Sequence, residues 1–177
     1  FLTEGDRRAM DAGPDSPFVP KFPGSLQELL AYDLLVLGDV PTNTPLFTPE
    51  QQGFVNKFVA EGGGLIHIAG RLHGPASFVG TPLYDLLPVD FQREVYAIDA
   101  NTRPQGFRPQ LTPVGVRSPL LSLEDDPVEN VRTWRTLPEI YWAYPVTKVK
   151  PAAEVFLVHP TQKTTDGKPM PLLASHY

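Results

Sequence analysis

The chain has 177 residues and no cysteine, and its 20 acidic and 15 basic side chains give a formal net charge of −5. Without cysteine, the chain can form no disulfide, no thiolate metal site and no cysteine nucleophile. The basic residues form no cluster, so nucleic acid is not an expected partner. No apolar run approaches the ~20 residues that cross a bilayer. Because 41% of the residues are hydrophobic, we expect a soluble, single packed domain over residues 1–177.

The first predicted elements follow a lead-in rich in proline and glycine at 1–24. In "SLQELLAY", Ser25 and Glu28 have the spacing of a capping box, which predicts a short helix over 25–32. The unbroken apolar run in "DLLVLGDV" predicts a strand over 33–38 that is buried on both faces.

The strongest helix signal is the stretch "TPEQQGFVNKFVAEGGG". Thr48 is the predicted N-cap, Pro49 takes the first helical position and Gln51 completes a capping box. Gly62–Gly64 are predicted to end the helix, and "LIHIA" predicts a second buried strand over 64–69, parallel to the first. Four apolar residues on one face predict the buried stripe of this helix: Phe54, Val55, Phe58 and Val59.

The two predicted strands and the helix between them make a βαβ core over 25–90, and residues 91–177 add further strands and long loops. In chain order, the later predicted elements are a short helix at 81–86, a strand at 93–98, a loop at 101–119, a helix at 126–135 capped by Asp126, strands at 138–142 and 154–159, a hairpin turn at Asp166–Gly167 and a strand in "PLLASHY". An aromatic cluster is predicted to cover the core of this half: Trp134, Tyr141, Trp142 and Tyr144.

The triple glycine of "EGGGLIHIAGRLHG" does not predict a phosphate-binding loop. Such a loop follows a strand and leads into a helix, so that backbone N–H groups and the helix dipole face the anion. Gly62–Gly64 have the reverse order, because they follow a helix and precede a strand. We therefore interpret them as the C-terminal cap of the helix.

The candidate site lies where the two predicted parallel strands end. Asp39 ends the first strand, and Gly70, Arg71 and His73 follow the second. Ligands of open α/β sheets bind at the carboxyl ends of the strands, so these four residues are the predicted ligand-binding set. The turn holds no nucleophile, which leaves His73 as the candidate catalytic acid or base. Asp39 could pair with Arg71 or cap a loop, and both interpretations stay open.

The other histidines do not predict a metal site. His67 lies within the second strand and is predicted to be a buried, neutral side chain. His159 and His176 lie in or at the ends of predicted strands. No pair has the i, i+4 spacing of a helical zinc motif, and no acidic third ligand is near in sequence. We expect neither a metal nor a cofactor.

Several passages resemble a known family: "KFPGSLQELLAYDLLVLGDVP", "LTPEQQGFVNKFVAEGGGLIHIAGRLHGPASFVGTPLYDLLPV" and "WRTLPEIYWAYPVTKVKPAAEVFLVHP". They are similar to the glutamine amidotransferase-like domain of large bacterial membrane proteins. The passage "FVAEGGGL" is also similar, more distantly, to the ThuA-like trehalose-utilisation proteins. The resemblance implies a flavodoxin-like three-layer sandwich with a mainly parallel sheet, of the class I amidotransferase-like kind.

The resemblance also indicates what this chain lacks. Active amidotransferases carry their cysteine on the turn after the strand equivalent to 64–69, and this chain reads Gly70-Arg71-Leu72-His73 there. Glutaminase activity is therefore not expected, and the family name carries over as a fold. The family pattern continues before "FLTEG" and after "LASHY", so we expect a domain truncated at both ends, with open sheet edges.

Three functions follow as hypotheses. The first is a non-catalytic binding or scaffold domain of a larger, membrane-anchored bacterial protein, which recognises a small molecule or a protein. The second is a ThuA-like hydrolase or carbohydrate-processing enzyme without a covalent step, using His73 and Asp39. The third is a module that forms homo-oligomers through exposed sheet edges. An enzyme needs His73 within hydrogen-bond reach of a carboxylate, so geometry discriminates between the first two.

Overall fold

The structure is a computed structural model that describes residues 21–42, 44, 45, 47–92 and 105–177. The residues group into two compact units, Phe1–Leu86 and Leu87–Tyr177. The predicted strand at 93–98 lies outside the described residues, as does most of the lead-in at 1–24. The organisation as a single domain stays a prediction.

The first described helix, α1, spans Leu26–Leu29 and is capped as its sequence predicts. The Ser25 hydroxyl accepts a hydrogen bond from the Glu28 backbone N–H. The Glu28 carboxylate accepts in turn from the N–H of Gly24, at 3.0 Å. The predicted end at residue 32 is wrong: α1 ends at Leu29, and the Leu30 side chain that follows is 46% exposed.

The predicted strand–helix–strand unit is confirmed. It consists of β1 (Leu34–Leu37), α2 (Pro49–Ala60) and β2 (Gly64–His67). The two strands pair in parallel, and Val36 lies opposite Ile66 in their register. Their carboxyl ends therefore meet at one edge of the sheet.

Both ends of α2 follow local rules. The Thr48 hydroxyl accepts from the Gln51 N–H, and the Gln51 side chain accepts from the Thr48 N–H, which is the predicted capping box. At the other end, Gly62 has a φ of +97°, a conformation that a residue with a Cβ rarely adopts. Its N–H donates to the carbonyl of Val59, and the Gly63 N–H donates to that of Phe58. This pattern is a Schellman motif, so the predicted role of these glycines as a helix cap is confirmed.

The buried face of α2 differs from the predicted stripe. Val55 and Phe58 are fully buried as predicted, and Gln52 completes the buried row. Phe54 and Val59 are only half-buried. Gln52 is accommodated because its side-chain amide donates to a backbone carbonyl, which offsets the cost of burying a polar group.

The sheet formed by β1 and β2 does not bury both faces, so that prediction is wrong for the described residues. Leu37 is fully buried on one face. On the other face, Leu34, Val36, Ile66 and Ile68 are 47% to 58% exposed. An apolar run in a sequence shows which residues could be buried. Which of them are buried depends on the elements that pack on each face of the sheet.

The segment that follows β2 packs as turns. A 3-10 turn at Ala76–Phe78 leads into further turns, so the predicted helix at 81–86 is wrong. The Thr81 hydroxyl accepts from the Leu83 N–H and donates to the Phe78 carbonyl, which gives the backbone an alternative to helical bonds. The hydrophobic core of the first unit is formed by Leu29, Leu37, Val40, Phe47, Val55, Phe58, Phe78 and Leu83.

The described strands of the second unit form two antiparallel sheets. One pairs β3 (Val89–Phe91) with β5 (Val146–Val149). The other has the order β4-β6-β7, formed by Gln110–Leu111, Glu154–Lys163 and Pro169–Ser175. Parallel pairing among the described strands is thus confined to β1 and β2, and the predicted mainly parallel sheet does not extend into this unit.

Of the strands predicted in this half, the last two and the turn between them are confirmed. The strand predicted at 154–159 extends to Lys163, and the predicted turn at Asp166–Gly167 joins it to β7. The strand predicted at 138–142 is wrong: of these residues Ile140 forms only an isolated bridge, with Phe107. β5 begins instead after Pro145.

The described residues of the second unit include two α-helices. The predicted loop at 101–119 is wrong in part, because α3 spans Pro113–Arg117 with Thr112 as its N-cap. The predicted helix with Asp126 as N-cap is confirmed as α4, Pro127–Thr136. A core cluster of Leu121, Phe156 and Leu157 is packed by partly buried apolar residues: Leu111, Val114, Trp134 and Leu172.

The aromatic cluster predicted to cover this half of the core does so only in part. Trp134 packs on the core cluster, and Tyr144 is buried beside Phe91 with the rings edge to face. Trp142 makes a second edge-to-face contact with Tyr144. Tyr141 does not belong to the core, because 56% of it is exposed.

Candidate functional site

The candidate site lies at the carboxyl ends of β1 and β2. Asp39 follows β1 by two residues, and the loop at 70–74 follows β2. Because the strands are parallel neighbours, the structure places Asp39 against this loop, as the sequence predicts. The site belongs entirely to the first unit.

The Asp39 carboxylate is bound by the backbone of that loop. Its Oδ2 accepts from the Leu72 N–H at 2.9 Å, and its Oδ1 accepts from the N–H groups of His73 at 2.7 Å and Gly74 at 2.8 Å. Three consecutive N–H groups therefore converge on one carboxylate. Of the two interpretations left open for Asp39, the structure favours the loop cap: within the described part of the chain no ion pair joins Asp39 to Arg71.

The same contacts set the protonation state of Asp39. Partial burial raises the pKa of the carboxyl group, but hydrogen bonds from the N–H groups of Leu72, Gly74 and His73 lower it, as does the charge of the His73 ring. The net result is a pKa below the usual value of 3.8. Asp39 is therefore ionised at neutral pH, as a hydrogen-bonded carboxylate should be.

Gly70 is required by the closeness of Asp39. A Cβ on Gly70 would overlap the carboxyl group of Asp39, so no residue with a side chain fits there without displacing the acid. The Gly70 N–H donates to the carbonyl of Gly74 at 2.9 Å and closes the loop on itself. Gly70 thus shapes the loop through its backbone and its lack of a side chain.

Comparison with known proteins identifies the family. The family model described as "Putative glutamine amidotransferase" matches residues 6–122. The chain belongs to this family. Among solved structures, it is similar to the "Cytoplasmic Protein STM3548 from Salmonella typhimurium", with a TM-score of 0.59 and 21% sequence identity. That alignment covers 89% of this chain and 65% of the Salmonella protein, so this chain spans about two thirds of it. No curated protein matches the chain.

Family membership establishes an amidotransferase-like α/β fold, and the residues at the turn after β2 decide what chemistry remains. The turn reads Gly70-Arg71-Leu72-His73 and therefore offers no hydroxyl or thiol. Arg71, Leu72 and His73 are all exposed. The exposed side chains of this turn are a cation, an apolar residue and an imidazole.

Among the described residues, the His73 side chain has no carboxylate partner of the kind that a general base needs. The charge of Asp39 acts on it, but both carboxylate oxygens of Asp39 are bonded to backbone N–H groups. Both backbone polar groups of His73 are hydrogen-bonded: its N–H donates to the Asp39 carboxylate, and its carbonyl accepts from the Ser77 N–H. The residue is thus anchored by its main chain while its ring is exposed.

His67 lies on β2 below this loop and is neutral, as predicted. Its Nδ1 donates to the Leu37 carbonyl at 3.1 Å, so the proton is on Nδ1, and the ring lies 4.6 Å from that of Phe78. Burial lowers the pKa of the imidazole, and the opposing effects of Leu37 and Asp39 do not restore it. Its Nε2 atom is buried without a hydrogen-bond partner.

His159 of the second unit is also neutral and unsuited to metal binding through Nδ1. This atom accepts hydrogen bonds from the N–H groups of Thr161 and Gln162, and burial lowers the pKa of the ring.

Over the described residues, no three His, Asp or Glu side chains could share a metal ion. No helix in those same ranges has both the length and the apolar character to cross a bilayer.

Two residues that fix the position of the loop at 70–74 were not predicted from the sequence: Thr42 and Ser77. The Ser77 hydroxyl donates to the Val40 carbonyl, and the Thr42 hydroxyl donates to the Ser77 carbonyl. These contacts link segments 35 and 37 residues apart. The available signal was weak: hydroxyl residues shortly after each strand end, which are common in loops.

Proposed function

We propose that this chain is a non-catalytic, amidotransferase-like binding or scaffold domain. The observation that carries the proposal is the state of Asp39: its carboxylate, which interacts with His73, is bound to three backbone N–H groups. Together with the absence of a nucleophile at the turn, this leaves the position of an active site without the groups for acyl transfer. We also propose that the described elements form part of a flavodoxin-like three-layer sandwich, which family membership supports.

The proposed binding surface is the exposed side of the loop at 70–74. Asp39 and Gly70 shape the loop, whereas Arg71 and His73 present their side chains to a ligand. Leu72 supports this assignment because it is 81% exposed between two polar residues. An apolar side chain held out on a fixed loop beside a cation suits a protein surface or a small molecule with both apolar and anionic groups.

The larger context is a proposal that rests on resemblance alone. Similarity to domains of large bacterial membrane proteins supports a membrane-anchored parent protein, and the test is the fractionation of that full-length protein. Oligomerisation through exposed sheet edges also remains a proposal. Light scattering that gives the mass of a single chain at high concentration would exclude it.

The hydrolase alternative requires His73 to act as a base with a free carboxylate, and the bonds of Asp39 count against it. The two functions are separated by assaying glutamate release from L-glutamine and the hydrolysis of disaccharides, trehalose included, with wild type and His73→Ala. We expect no turnover above the protein-free blank. Turnover by wild type that His73→Ala abolishes would contradict the proposal.

Binding is tested by thermal shift with protein and small-molecule panels, repeated on Arg71→Ala and His73→Ala. A ligand of the proposed surface gives a shift that either substitution reduces. Trehalose and similar osmolytes raise melting temperatures without binding, so an equal shift in all three proteins identifies that effect. Hits that neither substitution changes would place the binding surface elsewhere.

A further inference from the structure

Three consecutive backbone N–H groups point at one place in the loop at 70–74. Those of Leu72, His73 and Gly74 engage both oxygens of the Asp39 carboxylate, at 2.7 to 2.9 Å. Successive N–H groups in a concave turn form an anion-binding site in many proteins, where they hold phosphate or carboxylate groups. Here the anion belongs to the same chain.

The shape of the loop does not depend on Asp39. The Gly70 N–H donates to the Gly74 carbonyl at 2.9 Å, and the Ser77 N–H donates to the His73 carbonyl at 2.8 Å. The Ser77 hydroxyl then ties this segment to the Val40 carbonyl. Because none of these bonds uses the Asp39 side chain, we expect the three N–H groups to keep their directions when the carboxylate is removed.

The surroundings favour a negative charge at this position. The loop carries Arg71 and His73, and the charge of His73 acts on Asp39 in the direction that stabilises the anion. Without Asp39 the N–H of the buried Gly74 would lose its acceptor, which is unfavourable, whereas the N–H groups of the exposed Leu72 and His73 could donate to water. An anion at this position therefore stabilises the loop in this form.

We propose that the loop at 70–74 is a main-chain anion cradle whose resident anion is Asp39, and that it binds a small carboxylate or oxyanion when Asp39 no longer supplies the charge. Asp39 acts as a built-in competitor, since its tethered carboxylate has a far higher effective concentration than a free ion. The inference goes beyond the proposed binding surface, which concerns side chains, and it holds whether or not the domain is catalytic.

The test replaces the missing atoms with a free ion. Asp39→Ala removes a carboxylate, the group that formate supplies, and Asp39→Gly removes the equivalent of acetate. Thermal unfolding of the full chain at pH 7 is compared in sodium formate or acetate and in sodium chloride at equal concentration. At ten times the dissociation constant, we expect the matching ion to raise the melting temperature of the variant by about 3–6 °C over chloride. Wild type should show no such difference.

Asp126→Ala is the matched control. Asp126 also accepts two backbone N–H groups, those of Val128 and Glu129, but it does so on the exposed first turn of α4. Formate should not stabilise this variant more than it stabilises wild type. An equal gain in Asp39→Ala and Asp126→Ala would overturn the proposal, because it would show a general salt effect.

The site of binding is checked by NMR. In Asp39→Ala, formate should shift the backbone amide resonances of Leu72, His73 and Gly74 in a saturable way. No shift, or shifts elsewhere only, would overturn the proposal. If Asp39→Ala does not fold in chloride, refolding from urea is run in formate and chloride side by side. Recovery of native protein in formate alone supports the cradle, and recovery in neither overturns it.

Discussion

The Oδ1 atom of Asp39 accepts the backbone N–H of His73 at 2.7 Å, although 34 residues separate the two. The contact joins the segment after β1 to the segment after β2. It therefore depends on the parallel pairing of the two strands, which brings their carboxyl ends together. The same contact converts the residue most suited to assist His73 in catalysis into a structural acceptor.

Asp39→Asn should destabilise the chain by about 1–3 kcal/mol, measured by urea denaturation. The amide keeps the size of the side chain, but it has no charge and turns an N–H donor toward one of the backbone donors. Asp33→Asn is the matched control, because Asp33 precedes β1 and is exposed. It should change the unfolding free energy by less than about 0.5 kcal/mol. Equal losses in the two variants would show that the carboxylate of Asp39 has no special role.

Gly70→Ala should destabilise the chain because its Cβ would overlap the Asp39 carboxyl group. We expect a loss of about 1–3 kcal/mol, typical of forced overpacking. In a double-mutant cycle with Asp39→Ala, the two losses should not add, since the second substitution removes the group that the first displaces. Additive losses would mean that Gly70 is needed for another reason.

Gly53→Ala is the contrasting substitution and should stabilise the chain by about 0.5–1 kcal/mol. Gly53 lies in the interior of α2, and a Cβ there would meet no atom within 4 Å. Alanine lowers the conformational entropy that is lost when the helix forms. Chemical denaturation measures the gain. A loss instead would contradict the open space found around this position.

Stability should fall as the pH drops below about 6.5, in part because of His67. The pKa of His67 is lowered in the folded state, so the unfolded chain binds a proton first. Its contribution is fully present above pH 6.5 and is lost as the pH falls toward the folded pKa, at up to about 1.4 kcal/mol per pH unit. The unfolding free energy is measured from pH 8 to pH 5 in wild type and His67→Gln.

His67→Gln should flatten this pH dependence, although His159, whose pKa is also lowered, keeps part of it. A slope that survives unchanged in His67→Gln would contradict the neutral, buried state of this imidazole. A second loss of stability is expected below about pH 3.8, where Asp39 takes up a proton.

Asn130→Ala should destabilise the second unit by about 2–3 kcal/mol. Its side chain is 2% exposed, accepts from the Leu123 N–H and donates to the Leu121 carbonyl. Its removal leaves the Leu123 N–H without this acceptor and takes one of two donors from the Leu121 carbonyl, which keeps the Trp134 indole N–H. Arg132→Ala on the same helix is the control, because the Arg132–Glu129 pair is exposed and should contribute less than about 0.5 kcal/mol. Similar losses in both variants would contradict the role of Asn130.

The sequence by itself determined the features that are decided within a few residues. The box between Thr48 and Gln51, the cap at Asp126 and the turn at Asp166–Gly167 all rest on hydrogen bonds or backbone angles that neighbouring residues set. The sequence also shows directly that the turn at 70–73 contains no nucleophile.

Tertiary structure decided the exposures and the distant partners. The sequence predicts Leu34 and Val36 to be buried, and both are exposed. Which face of a sheet is covered depends on the elements that pack on it, and the local sequence pattern does not specify them. For Asp39 the sequence left ligand binding, an ion pair and a loop cap open, and strand pairing shows that N–H groups 33 to 35 residues away bind it. The need for glycine at position 70 also depends on that strand pairing, because the atoms that exclude a side chain there belong to Asp39.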